Sequence, residues 1–164
     1  MLTFSIRQLF LPSLFVFFAS SQLLAQSVPF AGMAGAWSGS GTIQLSDGSK
    51  ERLRCRASYR VGSGEARLQQ SLRCASDSYR FDLSSDILSE GGAIAGSWSE
   101  ASRGISGSIA GRVNGGSISA VADAPGFSAK LSVSTRGDRQ SFSISSEGDI
   151  RNVSIVMMRT APGR

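Results

Sequence analysis

The sequence predicts an all-β protein, an antiparallel up-and-down meander of about ten strands that forms a closed or nearly closed barrel. From Gly35 onward, short runs of alternating apolar and polar residues are separated by Gly, Asn, Asp and Pro, the pattern of strands joined by tight turns. Helical periodicity in this part of the chain never extends beyond one or two turns. The apolar residues of successive runs share one face, and such a sheet buries that face by closing on itself.

Residues 1–27 have the features of a secretory signal peptide. Arg7 supplies the positive charge, an apolar run follows it, and the small residues Ala25 and Ser27 offer a cleavage site. The alternative is an uncleaved N-terminal segment that anchors the protein in a membrane. Cleavage leaves residues 28–164 as a single β-barrel domain without a transmembrane segment, and we expect this product to be periplasmic or secreted.

The strands are assigned in chain order from the turn residues between them. They are predicted near residues 36–45, 51–61, 67–75, 78–89, 93–99, 104–112, 116–123, 126–134, 139–146 and 151–158. The turns that set their register include Asp47-Gly48-Ser49, Ser76-Asp77, Gly91-Gly92, Ala101-Ser102, Asn114-Gly115, Pro125-Gly126, Gly137-Asp138 and Gly148-Asp149. The predicted facing pairs, one per hairpin, are Ile43 with Leu53, Cys55 with Cys74, Leu72 with Phe81, Ile87 with Gly96, Trp98 with Ile105, Ile109 with Ala120, Ile118 with Val133, Val133 with Phe142, and Ile144 with Val153.

The two cysteines of the chain, Cys55 and Cys74, face each other in this register, which also pairs Tyr59 with Gln70. Two cysteines in an exported chain are expected to form a disulfide bond. A zinc site is a poor alternative, because two thiolates in a chain without histidine leave the metal short of ligands. We therefore expect neither a metal nor a cofactor.

The shared apolar face is predicted to form the barrel interior, where a small hydrophobic ligand could bind. The candidate ligand contacts point inward and are aromatic or polar: Trp37, Tyr59, Gln70, Phe81, Trp98 and Phe142. Inward-facing glycines, such as Gly39, Gly41 and Gly107, either permit sharp coiling of the strands or leave room for a ligand. The sequence leaves both uses open.

The opposite face carries a row of arginines in a basic chain of net charge +5. Arg56 is predicted to face Arg73, which in turn faces Arg80, with Arg54 beside them. Like charges directly opposite each other destabilise a sheet. A fold that keeps such a row can use it to bind an anion, so the row is a candidate site for an anionic envelope component. The alternative is a solvated face neutralised by nearby carboxylates. Few aromatic side chains lie on this face, so nucleic acid is not an expected partner.

Catalytic residues are not indicated by the sequence. The absence of histidine removes triads based on that residue and the usual general base at neutral pH. The paired carboxylates Asp82 and Asp86 point outward, where they are better placed to balance arginines than to flank a glycosidic bond. We therefore expect a non-enzymatic protein.

Gly35-Ala36-Trp37 resembles the Gly-x-Trp signature on the first barrel strand of the lipocalin and fatty-acid-binding (calycin) families. The resemblance implies an antiparallel barrel that holds a small hydrophobic ligand, with Trp37 plugging its base. It also implies a basic residue near the C-terminal strand, for which Arg159 is the match. The segments 54–57 and 73–80 resemble a group of small exported bacterial proteins of unassigned function.

These observations predict an exported, non-enzymatic, lipocalin-like protein that binds a small apolar or amphipathic ligand. The alternative is an envelope or extracellular interaction module that binds an anionic partner through its arginine-rich sheet face.

Overall fold

The computed structural model describes residues 28–160, in which ten antiparallel strands form a closed barrel. The strands are β1 (Gly35–Leu45), β2 (Lys50–Val61), β3 (Arg67–Ala75), β4 (Arg80–Glu90), β5 (Ala93–Glu100), β6 (Ile105–Asn114), β7 (Ser117–Ala124), β8 (Phe127–Arg136), β9 (Arg139–Ser146) and β10 (Ile150–Arg159). Each strand pairs with its neighbours in the chain, and β1 pairs with β10 to close the barrel. The predicted all-β meander is therefore confirmed. The predicted signal peptide, residues 1–27, lies outside the described residues.

The predicted register is confirmed in five hairpins and wrong by two residues in four. The confirmed pairs are Cys55 with Cys74, Ile87 with Gly96, Ile118 with Val133, Val133 with Phe142, and Ile144 with Val153. The shifted pairs are Ile43 with Glu51, Leu72 with Leu83, Trp98 with Gly107, and Ile109 with Ala122. Side chains alternate between the faces of a strand, so a shift of two leaves every residue on its predicted face.

Side-chain hydrogen bonds within the turns account for two of the shifted hairpins. Asp47 Oδ1 accepts a bond of 2.8 Å from the Ser49 backbone N–H, and the Tyr79 N–H donates to Ser76 Oγ at 3.0 Å. Short polar side chains that bind nearby backbone groups stabilise turns in place of further strand pairing. Each turn is consequently centred one residue from its predicted position, on Asp47 instead of Gly48, and between Asp77 and Ser78 instead of between Ser76 and Asp77.

A chain segment ahead of β1 closes one end of the barrel, which we call the base. Its residues Phe30 and Met33 are each 1% exposed. The base also explains the shifted register between β6 and β7, because the Gly116 N–H donates to the Pro29 carbonyl at 3.2 Å. A Cβ at Gly116 would lie only 2.7 Å from the Ala31 carbonyl oxygen, so only glycine fits between the turn and this segment.

Trp37 and Arg159 fasten the base to the barrel. The Trp37 indole N–H donates to the Met33 carbonyl at 2.9 Å, and the Arg159 guanidinium carbon lies 4.3 Å from the centroid of the Trp37 ring. Arg159 also donates to the Gly32 carbonyl at 2.6 Å and to Asp138 Oδ1 at 2.9 Å. Trp37 and Arg159 therefore hold the segment ahead of β1 against the barrel.

Two inward-facing glycines let β1 approach β10 closely. A Cβ at Gly39 would lie 2.0 Å from the Val156 carbonyl oxygen, and one at Gly41 would lie 2.1 Å from that of Ser154. At the barrel closure these glycines therefore serve the close approach of neighbouring strands and do not leave room for a ligand. No helix among residues 28–160 combines the length and apolar character that a membrane crossing requires.

Candidate functional site

The barrel interior contains two adjacent apolar chambers. The deep chamber, of about 100 Å³, lies above Met33 at the base. The large chamber, of about 400 Å³, reaches the turns at the opposite end, which we call the mouth. The residues common to both linings are Leu83, Trp98, Phe127, Phe142 and Ile144. The volume of the large chamber falls within the usual range for small-molecule sites, about 300–1,000 Å³.

Aromatic side chains define the junction between the chambers. The rings of Trp98 and Phe127 lie 5.5 Å apart between centroids, at an interplanar angle of 55°. The Trp98 indole N–H donates to the Ser108 carbonyl at 3.0 Å, which fixes the orientation of the ring. A ligand that spans both chambers would therefore contact a tryptophan of fixed orientation, as well as Phe142.

A buried polar chain runs from the wall of the deep chamber toward β8. The Tyr59 hydroxyl donates to Gln140 Oε1 at 2.7 Å, and Gln140 Nε2 donates to Thr135 Oγ1 at 2.9 Å. Tyr59 is 4% exposed and Gln140 is fully buried. Burial raises the pKa of Tyr59 further above its ordinary value, despite the hydrogen bond to Gln140, so the phenol stays neutral and remains a donor.

The wall of the deep chamber also carries a second polar contact, in which the Ser85 hydroxyl donates to Gln70 Oε1 at 3.1 Å. Groups of this kind can orient a polar atom of a bound ligand. Among residues 28–160, no three acidic or cysteine side chains lie close enough together to hold a metal ion.

The mouth carries charged and aromatic groups. Tyr79 and Phe81 have nearly parallel rings, with an interplanar angle of 6° and centroids 6.3 Å apart. The Arg103 guanidinium carbon lies 4.9 Å from the Phe81 centroid and 6.0 Å from that of Tyr79. All three side chains line the large chamber, as does Glu100, which is 5% exposed. The chamber therefore has an apolar body and a polar entrance.

Five of the six predicted ligand contacts line the chambers: Tyr59, Gln70, Phe81, Trp98 and Phe142. The sixth, Trp37, lines neither. It is 1% exposed and lies in the base, where its ring nitrogen is hydrogen-bonded to the Met33 carbonyl and one ring face is covered by the Arg159 guanidinium. Its position is that of a plug rather than of a ligand contact.

The cysteines form the expected disulfide between β2 and β3, with their sulfur atoms 2.08 Å apart. Both residues point inward, with 3% exposure for Cys55 and 6% for Cys74, and Cys74 lines the large chamber. The bond is therefore part of the inner wall, close to the polar entrance.

The prediction of a continuous arginine row is wrong at one position. Arg56 faces Arg73 as expected, but Arg73 then faces Asp82 rather than Arg80, and its Nε lies 3.1 Å from Asp82 Oδ2. The cause is the displaced β3–β4 turn described above. The four predicted arginines nevertheless line one depression on the outer wall: Arg54, Arg56, Arg73 and Arg80.

The predicted ligand contacts did not include several residues of the chambers, among them Tyr79, Glu100, Arg103 and Phe127. All four of these lie in or beside turns, whose side-chain directions do not follow from strand alternation. The available signal was the charge pair Glu100 and Arg103, which flanks the predicted turn at Ala101 and Ser102.

No family model and no curated protein matches the chain. Solved structures do. The crystal structure of Rv2717c from M. tuberculosis is 15% identical, with 79% of this chain and 93% of that chain covered and a TM-score of 0.63. The S-type phycobiliprotein lyase CPES from Guillardia theta is 10% identical, with 79% and 89% covered and a TM-score of 0.54.

A protein of unknown function from the DUF3598 family of Nostoc punctiforme is 12% identical, with a TM-score of 0.51. The alignment covers 78% of this chain and 48% of that one, so the match spans about half of the larger protein. At such low identity these likenesses show the fold alone. They support a closed antiparallel β-barrel as the architecture.

The comparisons also correct one prediction. The expectation of a non-enzymatic protein, drawn from the lack of recognisable catalytic residues, is wrong, because a chain that shares the barrel fold is named a lyase. A barrel of this kind is therefore no argument against catalysis.

Proposed function

We propose that the protein is exported and binds a small apolar or amphipathic molecule inside its barrel. The observation that carries this proposal is the pair of adjacent chambers, of about 100 and 400 Å³, whose walls are mainly aliphatic and aromatic. Ligand sites are typically concave and apolar, with a few polar groups that fix orientation. Tyr59, Gln70 and Ser85 supply such groups at depth, and Glu100 and Arg103 supply them at the mouth.

Export is supported by two independent features of the chain. Residues 1–27 have the composition of a signal peptide. The Cys55–Cys74 disulfide is typical of an oxidising compartment, such as the periplasm or the extracellular medium. A binding protein in either place would carry or sequester its ligand outside the cytoplasm.

Tryptophan fluorescence tests binding in the chambers. Titration of the purified protein with decanol and with retinol should change the emission, since Trp98 lies at the junction while Trp37 is shielded in the base. The change should be absent in Trp98→Phe. Ile144→Trp should block the junction and abolish binding, measured by displacement of a fluorescent apolar probe.

Ser143→Trp is the matched control for the blocked variant, because Ser143 is exposed on the outer face of the same strand. It should bind as the unmodified protein does. Circular dichroism establishes that each variant is folded. A folded protein that binds neither decanol nor retinol, or equal binding by Ile144→Trp and Ser143→Trp, would refute the proposal.

A second candidate function is supported by the depression on the outer wall. Four arginines line it, and Asp82 is its one acidic lining residue within the described part of the chain. Arginine forms bidentate contacts with carboxylate, phosphate and sulfate groups, so this surface suits an anionic partner.

Binding to heparin and to vesicles of anionic lipid tests this second function. The triple change of Arg56, Arg73 and Arg80 to serine should abolish it. A matched triple change of Arg112, Arg136 and Arg139, which are exposed on β6, β8 and β9, should not. Equal binding by the two triple variants would remove the candidate.

A further inference from the structure

The mouth of the large chamber contains a positively charged group held in place on aromatic faces. Arg103 lies in the β5–β6 turn, with its guanidinium over Phe81 and beside Tyr79 at the distances given above. Attraction between the cation and the electron-rich ring faces favours this placement and restricts the side chain. About 37% of the Arg103 side chain is exposed, so the group is accessible from the mouth.

Glu100 carries the negative charge that lies nearest to Arg103, but its carboxylate is already hydrogen-bonded to groups in and beside the β5–β6 turn. Its carboxylate accepts hydrogen bonds from the backbone N–H groups of Asp82 at 2.9 Å, Ser102 at 3.1 Å and Arg103 at 2.8 Å, and from the Ser102 hydroxyl. Burial alone would raise the pKa of Glu100, but these bonds outweigh it and hold the pKa below its usual range. Glu100 is therefore ionised at neutral pH and shapes the turn.

The contact between the two charged side chains is loose. Arg103 Nη1 lies 3.8 Å from Glu100 Oε2, which is longer than a hydrogen bond. A guanidinium has five N–H donors in a planar fork, a geometry that matches carboxylate, sulfate and phosphate groups. Arg103 can consequently bind an anion at the mouth while Glu100 keeps its bonds to the turn.

A second carboxylate, Asp149, lies across the mouth in the β9–β10 turn and lines the same chamber. Asp149 and Arg103 are both exposed, so water and salt screen both charges. Of the two, Arg103 is held against the chamber wall, because its guanidinium lies over the ring of Phe81. A head group that follows an apolar tail out of the chamber meets Arg103 at this wall.

We infer that the ligand is an anionic amphiphile whose tail passes Trp98 into the chambers and whose head group binds Arg103. This inference rests on the proposed binding of a ligand in the barrel and names its chemical class. Carboxylate, sulfate and phosphate heads share the required chemistry. The apolar lining supplies most of the affinity, and Arg103 supplies the preference for negative charge.

The test compares ligands with the same tail and different heads: decanoate, decyl sulfate, decanol and decyltrimethylammonium, together with acetate as a head without a tail. A partly desolvated, charge-assisted hydrogen bond raises the affinity for a ligand with an anionic head about tenfold over that for a ligand with a neutral head. Decanoate and decyl sulfate should therefore bind about tenfold more tightly than decanol, measured by calorimetry at neutral pH. Acetate should not bind measurably, because it cannot fill the chambers.

Arg103→Gln should remove this preference by weakening decanoate about tenfold while leaving decanol unchanged. Arg103→Lys should restore part of it, because the charge returns without the planar fork. Arg151→Gln is the matched control. Arg151 lies at the same end of the barrel, but its guanidinium is bound to the Glu147 carbonyl and does not line the chamber. That variant should retain the full preference.

Two results would overturn the inference while leaving the proposed function intact. One is equal affinity of the unmodified protein for decanol and decanoate. The other is tightest binding of decyltrimethylammonium, lost in Asp149→Asn, which would assign the head-group site to the opposite side of the mouth. Failure of all four long-chain compounds to bind would instead refute the proposed function itself.

Discussion

The disulfide permits a quantitative prediction about stability. Replacing both Cys55 and Cys74 by alanine removes the covalent link between facing positions of β2 and β3, which are 19 residues apart in the chain. A closed loop of this size stabilises the folded state by about 3 kcal/mol in the chain-entropy model. For a domain of this length, a loss of that size lowers Tm by about 10 °C. The lost packing of two buried sulfur atoms adds to both values.

Urea denaturation with and without a thiol reductant measures this effect. The reductant should lower the free energy of unfolding of the unmodified protein by about 3 kcal/mol. It should leave the double alanine variant unchanged, which makes that variant its own control. Two free thiols per molecule in the protein isolated from an oxidising compartment, or identical denaturation curves with and without reductant, would contradict a stabilising disulfide.

Three further changes test the interior and the barrel closure. Tyr59→Phe leaves the buried Gln140 Oε1 without its donor and should cost about 1–3 kcal/mol in urea denaturation, so an unchanged free energy of unfolding would contradict the polar chain. The folded pKa of Glu100 is lowered from 4.5, so its charge stabilises the protein above that pH and the contribution disappears as the pH falls through the folded pKa. Glu100→Gln should therefore be less stable at neutral pH and lose less stability on acidification, whereas parallel pH profiles would count against this role. Gly39→Ala should strongly lower Tm, because its Cβ would lie 2.0 Å from a carbonyl oxygen of β10, while Gly148→Ala, with open space around it, should not; equal melting temperatures would show that the closure tolerates side chains.

The architecture was predictable because it depends on the alternation of side chains between the two faces of a strand. An error of two residues in register leaves each side chain on its predicted face. The predicted partner of Leu72 was Phe81, whereas the observed one is Leu83, yet all three side chains point inward. Turn residues indicate the region in which a hairpin turns, but the centre and the length of its loop depend on contacts that strand patterning does not encode. The bond to Ser76 accompanies a displaced turn, and the bonds to Glu100 accompany a longer loop.

The same distinction explains what was predictable about the site. Trp98 and Phe142 lie on strands, where the inward direction follows from the period of two. Arg103 lies in a turn, and its position over Phe81 depends on how Glu100 folds that turn. The prediction of an arginine row failed for a related reason, since a displaced turn exchanged one like-charged neighbour of Arg73 for a carboxylate. The base segment could not be anticipated either, because it carries no strand pattern.

A crystal structure of the protein grown with decanoate tests ligand binding inside the barrel most directly. We expect the alkyl chain between Trp98 and Phe142, with the carboxylate on the Arg103 guanidinium. Chambers filled by side chains, with decanoate absent or bound only to the outer wall, would contradict the claim that this barrel holds its ligand inside.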